Sequence, residues 1–153
     1  MNEHDRTKRP NDPNASNEPN APNEFHARCG VIEEAYEFML AYAAQGLAGE
    51  AASQSGGQLR EYLTRASAAL AGLGDLLLQV VAREALEPAD RYRAFAAVLD
   101  RDAGDARAAV ELVLAQPSIS SQLVDNLNAS IHVRALLTDL FLIDEILTPQ
   151  VAT

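Results

Sequence analysis

The chain contains no tryptophan, four tyrosines, four phenylalanines and a single cysteine, Cys29, among its 153 residues. One thiol cannot form an intrachain disulfide, so the fold must rest on packing alone, and a reducing, cytoplasmic compartment is expected. The shortage of aromatic side chains matters because 48% of the residues are hydrophobic. That apolar content therefore lies mainly in alanine and leucine, both strong helix formers, and it predicts an all-α body. Basic residues are also few: 12 Lys and Arg stand against 22 Asp and Glu, for a net charge of -10. Phosphate backbones are bound by clustered cations that release counterions, and anionic membranes attract basic segments, so neither nucleic acid nor a membrane surface is an expected partner. Arg6, Lys8 and Arg9 form the one basic cluster. No apolar run reaches the length of a membrane span, and residues 1–24 hold no apolar stretch of the kind a secretory signal needs.

Proline is concentrated rather than scarce. Pro10, Pro13, Pro19 and Pro22 fall within residues 1–23, among the spaced elements N-D-P-N, N-E-P-N and N-A-P-N. Such a segment cannot bury enough apolar surface to offset chain entropy, so residues 1–23 are expected to be a disordered Asn/Pro-rich arm. A single domain over 24–148 and a short tail over 149–153 complete the expected organisation.

Within that domain the apolar period predicts a helix over 24–48, with Gly30 a point where it could be delayed, and a turn centred on Gly56 and Gly57. A second helix is expected over 58–86, ended by Pro88, which suits the first turn of a third over 88–102. Gly104 between acids separates that segment from another over 105–116, and Ser118 is the expected cap of a last helix running to Leu147. Counting the two short segments as one broken rod gives an antiparallel up-down bundle of four long rods, the third of them broken, with irregular five-helix packing as the competing arrangement.

Few residues suggest chemistry. Carboxylate-bridged metal pairs in helical bundles use Glu-x-x-His, a motif missing from the sequence. A weaker metal set is His26, Cys29, Glu33 and Glu37, which follow one helical face, although a row of that length lets only neighbouring pairs chelate one ion. The plainer account of Glu33, Glu34 and Glu37 is an acidic face near a helix N-terminus. Cys29 as a nucleophile would need His26 to lower its pKa and a further orienting group. The glycine-containing stretches G-L-A-G and A-G-L-G-D lack the lysine of a phosphate-binding loop. Tyr36, Tyr42, Tyr62 and Tyr92 could line a ligand pocket, but are better explained as amphipathic edges of the core with their hydroxyls in water.

The segment Val133–Leu147 carries the strongest signal, with apolar residues around nearly its whole circumference. Advancing about 100° per residue, Ile119, Leu123, Leu127 and Ile131 form a core stripe, and Ser121, Asp125, Asn128 and His132 the opposite, solvent-facing side. Beyond Arg134 the apolar face changes sides: Leu136, Leu140, Ile143 and Leu147 repeat at the four-three-four spacing of an interhelical seam, expected to meet another chain while Leu137, Phe141 and Leu142 stay intramolecular; the alternative is that the bundle's own helices shift around this one so that a single core changes face, with Arg134 pairing an acid. Asp139 lies beside that seam, where a desolvated carboxylate requires a cationic partner such as arginine. The expected function is a non-enzymatic interaction protein, an adaptor, assembly factor or chaperone, that meets a second copy or another protein through this seam and needs no cofactor. A small-molecule or metal-binding bundle and a ligand-sensing regulatory domain are the alternatives.

Overall fold

The computed structural model describes residues 20–148. These residues are helical throughout their ordered elements: α1 spans Ala21–Ala44, α2 Gly56–Leu70, α3 Leu73–Arg83, α4 Ala89–Leu114, α5 Ser121–Ala129 and α6 Ile131–Leu147, with a 3-10 turn at Glu50–Ala52 and no strand among the described residues. Residues 1–19 of the expected arm and the tail 149–153 lie outside them.

The first boundary moves toward the N-terminus. The Asn20 side chain accepts from the Asn23 backbone N–H, and Pro22 occupies the first turn, where its missing donor costs no helical bond. Ala21–Asn23, assigned to the arm by composition, are thus the first turn of α1, and the helix continues through Gly30. The remaining breaks fall elsewhere than expected. The rod over 58–86 is interrupted at Gly72, whose φ of 66° is in the left-handed region that glycine occupies without a Cβ penalty. The chain turns there by 49° between α2 and α3. The third rod is not broken: α4 runs through Gly104, because Ala103 and Ala106 are buried on either side of it and their packing outweighs one glycine's cost of about 1 kcal/mol.

The last rod is broken instead. Ser120, not Ser118, caps α5 by accepting from Leu123 N–H at 3.0 Å. Ser130 then leaves helical geometry at φ -63° and ψ 143°, and its hydroxyl caps α6 through Val133 N–H at 3.3 Å. Each half therefore sets its own phase. Ser121, expected in solvent, is buried, donating to the Tyr42 carbonyl at 2.7 Å and accepting from Leu47 N–H at 2.8 Å. Asn128 is buried too, while Leu123 is only half-buried and Ile131 is exposed; Ile119 and Leu127 of the expected stripe are buried, and Asp125 and His132 are exposed, as expected.

One core connects all six helices. α1 packs on α2, α3 and α5, and α4 packs on α2, α3, α5 and α6. Leu59, Leu63, Leu77, Leu99 and Leu140 are fully enclosed in it. No single described helix is long and apolar enough to cross a membrane; α2 and α3 together reach that composition only as a bent pair.

Candidate functional site

Helix α6 has apolar residues on every side, and the question is which of them the chain itself covers. Val133, Leu136, Leu137, Leu140 and Ile143 are buried, and Leu147 is half-buried against the same core. The expected seam of Leu136, Leu140, Ile143 and Leu147 is therefore corrected: it faces this chain's own interior. The single core changes face at Ser130, where α5 ends and α6 starts with its own phase, as the alternative account of this segment expects. What α6 presents outward is Ile131 at 75% exposure, Phe141 at 59%, and Leu142 and Ile146 at 53% each. Phe141 and Leu142, expected inside, are outside. Of that trio only Leu137 is covered.

Helix α4 supplies the neighbouring wall. Its N-terminal turns bring Pro88, Arg91, Tyr92 and Phe95 beside Leu142, Ile143 and Ile146 of α6, forming an apolar groove of about 300 Å³. Tyr92, Phe95 and Leu99 follow the three-four spacing of a helix face, so Leu99 is enclosed while Tyr92 and Phe95 lie at the rim. Val98, one turn before Asp102, is also exposed.

Farther along the same helix pair, Asp102 of α4 meets Asp139 of α6. Asp139 is only 9% exposed, and its Oδ2 has no hydrogen-bond partner. Burial, followed by the hydrogen bond and charge of Asp102, raises its carboxyl to about 7. No cation opposes these effects. The ion pairs among the described residues lie elsewhere: Glu24 with Arg28, Glu50 with Arg60, and Arg107 with Glu111; His26 Nδ1 lies 3.9 Å from Asp144. Asp139 was recognisable in sequence as a carboxylate needing a partner, whereas Asp102 was not, since only tertiary packing brings it there.

The weaker metal set does not assemble. His26 is exposed, Cys29 is enclosed at 3% exposure, Glu33 is partly buried and Glu37 faces outward. Burial, reinforced by Asp144 and Glu33, pushes the Cys29 thiol up to about 12, the opposite of what a nucleophile or thiolate ligand requires. Among the described residues no three His, Cys, Asp or Glu side chains gather as a metal site. The tyrosines divide. Tyr42 is fully buried and donates to the Ile119 carbonyl at 2.7 Å, contrary to the expectation that its hydroxyl would be in water. Tyr62 stacks on Phe38 with ring centres 4.3 Å apart. Tyr36 borders an interior gap of about 20 Å³ among Ile32, Ala66, Ala106 and Leu136, room for about one water and lined by apolar groups. Tyr92 is the one that belongs to the groove.

Comparison with protein-family models, with curated proteins and with solved structures finds no match to this chain.

Proposed function

We propose that the protein is a non-enzymatic interaction protein of the adaptor, assembly-factor or chaperone kind, built as an antiparallel up-down bundle and working in the reducing cytoplasm through protein–protein contact. The observation that carries this is the outward face of α6, where four large apolar side chains are at least half exposed on one short helix. Scattered surface leucines are ordinary, but a cluster on one helix face, continuous with an apolar groove, is the signature of a contact surface.

A two-fold homodimer fits this face. Ile131, Arg134, Thr138, Phe141 and Glu145 follow one another at spacings of three and four, so they lie on a single stripe. An antiparallel pairing of two α6 helices sets Arg134 of each copy opposite Glu145 of the other, with Thr138 opposite Phe141. Both charged side chains are exposed, and neither takes part in an ion pair among the described residues. The isologous arrangement uses each pair twice.

Sedimentation equilibrium on wild type, Arg134→Glu, Glu145→Arg and the double variant tests the proposal. Wild type is expected to be dimeric at micromolar concentration, each single variant to dissociate, and the charge-reversed double variant to recover. A wild type that stays monomeric up to about 100 µM, well above the dissociation constants of specific dimers, would sink the homodimer.

A further inference from the structure

A cleft of about 570 Å³ opens at the end of the bundle where three helices terminate. The first turns of α1 supply Asn23, Phe25 and His26, the end of α3 supplies Val80 and Glu84, and the last turn of α6 supplies Asp144 and Leu147. Its floor is apolar, with Phe25 and Val80 buried and Leu86 and Leu147 half-buried. Its rim is acidic. Glu84 is exposed and the Asp144 side chain is 46% exposed, so both carboxylates are within reach of an occupant. Among the described residues that line the cleft, His26 is the one group able to carry positive charge, 3.9 Å from Asp144, and Arg83 is not in the lining.

The backbone strengthens this field. A helix carries partial negative charge at its C-terminus, where basic side chains are favoured and acids are not. Both α3 and α6 end at the cleft, Glu84 caps the first, and the last turn of the second holds Asp144 and no basic residue. The opposite pole, the N-terminus of α1, already has Glu24 in its first turn. A cation in the cleft therefore meets two carboxylates and the negative ends of two helices.

The chain carries a matching group next to this site. Arg6, Lys8 and Arg9 place three positive charges within four residues, flanked by Glu3, Asp5, Asp12 and Glu18, so the cluster and not the whole segment has the complementary sign. Residues 149–153, which follow α6 out of the same end, include no basic side chain. Residues 10–19 separate Arg9 from Asn20, the cap of α1, and Pro22 and Asn23 line the cleft itself. Ten residues span at most about 35 Å, ample for a return to the cleft. So short a tether holds the cluster at an effective concentration on the order of millimolar, which fills a contact too weak to retain a separate basic peptide. Arginine and lysine stems also suit an apolar floor, with their charged heads left at the rim.

We propose that this cleft is the docking site of the chain's own basic segment, residues 6–9, held within one molecule against Glu84 and Asp144. The contact is independent of the homodimer, whose stripe through Arg134, Phe141 and Glu145 does not line the cleft.

Lys8 is the chain's only lysine, which permits a direct test. A water-soluble carbodiimide joins an amine to a carboxylate only where the two touch. Isotopically light and heavy full-length protein are mixed to equilibrium and treated with it, and the linked peptides are weighed; same-isotope pairs report contacts within a chain and mixed pairs contacts between chains. Lys8 is expected to join Glu84 or Asp144 within one chain, about fivefold or more often than any carboxylate elsewhere in the helices, and to lose that preference at about 0.5 M salt, where screening shortens to a few Å. The variant Arg6→Gln, Lys8→Gln, Arg9→Gln lies outside the helices and leaves the fold intact. It should shift the backbone amide resonances of residues 80–86 and 144–148. Links spread evenly over the surface acids would mean that the cluster has no site, and links only between chains that the occupant is a second copy's segment. Amide shifts that follow deletion of residues 149–153 but not the triple variant would make that tail the occupant. Each of these results would overturn the proposal.

Discussion

Arg60 holds Glu50 by two parallel contacts of 2.7 Å, Nε to Oε2 and Nη2 to Oε1. The same guanidinium donates to the carbonyls of Leu114 at 2.8 Å and Gln116 at 2.7 Å, and Glu50 Oε1 accepts from Ile119 N–H at 2.9 Å. One ion pair thus ties α2, the 3-10 turn, the end of α4 and the start of the connection to α5. It satisfies the Leu114 carbonyl at the end of α4, which has no partner within the helix, and the Gln116 carbonyl just beyond it.

The pair has a pH signature. The Arg60 hydrogen bonds hold the Glu50 carboxyl below its usual range, against burial and with help from Ile119 N–H. A carboxyl lowered in the folded state contributes stability above its unfolded pKa and loses it as pH falls through the folded value. Glu50→Gln should therefore cost about 1–3 kcal/mol at neutral pH, tempered by the partial exposure of Arg60, and progressively less under acid conditions. Urea melts of both proteins from neutral pH down to about pH 3 measure this; a difference that does not shrink with acid contradicts it.

Leu140 and Leu142 stand two residues apart on α6 with opposite exposures, 0% and 53%. Leu140→Ala should lose about 2–5 kcal/mol, the transfer energy plus a cavity, while Leu142→Ala should stay within about 0.5 kcal/mol. Chemical denaturation of the two variants decides which face of α6 is interior. Equal costs would mean that the helix is rotated from the orientation described.

Two glycines make a similar contrast. A Cβ on Gly74 would run into the Ala96 carbonyl and the Asp100 backbone and side chain, so α3 and α4 cross closely only because none is there. Gly104, exposed in the middle of α4, has nothing within 4 Å of its Cβ direction. Gly104→Ala should stabilise by about 0.5–1 kcal/mol through helix propensity and backbone entropy. Gly74→Ala should destabilise by about 1–3 kcal/mol, since overpacking exceeds the propensity gain. Melting curves with matching signs for both variants would refute the close crossing.

The helical class was legible because alanine and leucine dominate the apolar content, and that signal needs no tertiary information. The breaks were less legible because each depends on packing. Gly72 lies in A-L-A-G-L-G-D, where the apolar period passes through it undisturbed, yet the left-handed turn there is what brings Gly74 onto α4. Gly104 sits between acids and resembles a boundary, but the buried alanines beside it carry α4 onward. Ser130 is followed directly by apolar residues, which hid its role as a cap. The candidate surface was half legible. The excess apolar character of α6 and the need of Asp139 for a partner follow from spacing, whereas its unpartnered Oδ2, the α4 wall and Asp102 depend on which helix lies alongside.

Asp139 supplies the sharpest prediction, with a sign opposite to that of Glu50. Its carboxyl is raised from 3.8 to about 7, first by burial and then by Asp102. Between those values the folded protein holds a proton that the unfolded chain has lost, so stability falls as pH rises through this window and levels off above it. Asp139→Asn removes the ionisable group while keeping an N–H that can donate to Asp102, and it should therefore be more stable than wild type at pH 8. Its advantage should narrow steadily as the pH is lowered through this window toward about 3, below the ordinary aspartate value, where Asp139 is protonated in both states of the wild type. Urea denaturation of the two proteins across that range is the measurement. An asparagine variant that gains nothing at pH 8, or gains the same amount at every pH, would show that Asp139 is already balanced by a cation within the chain.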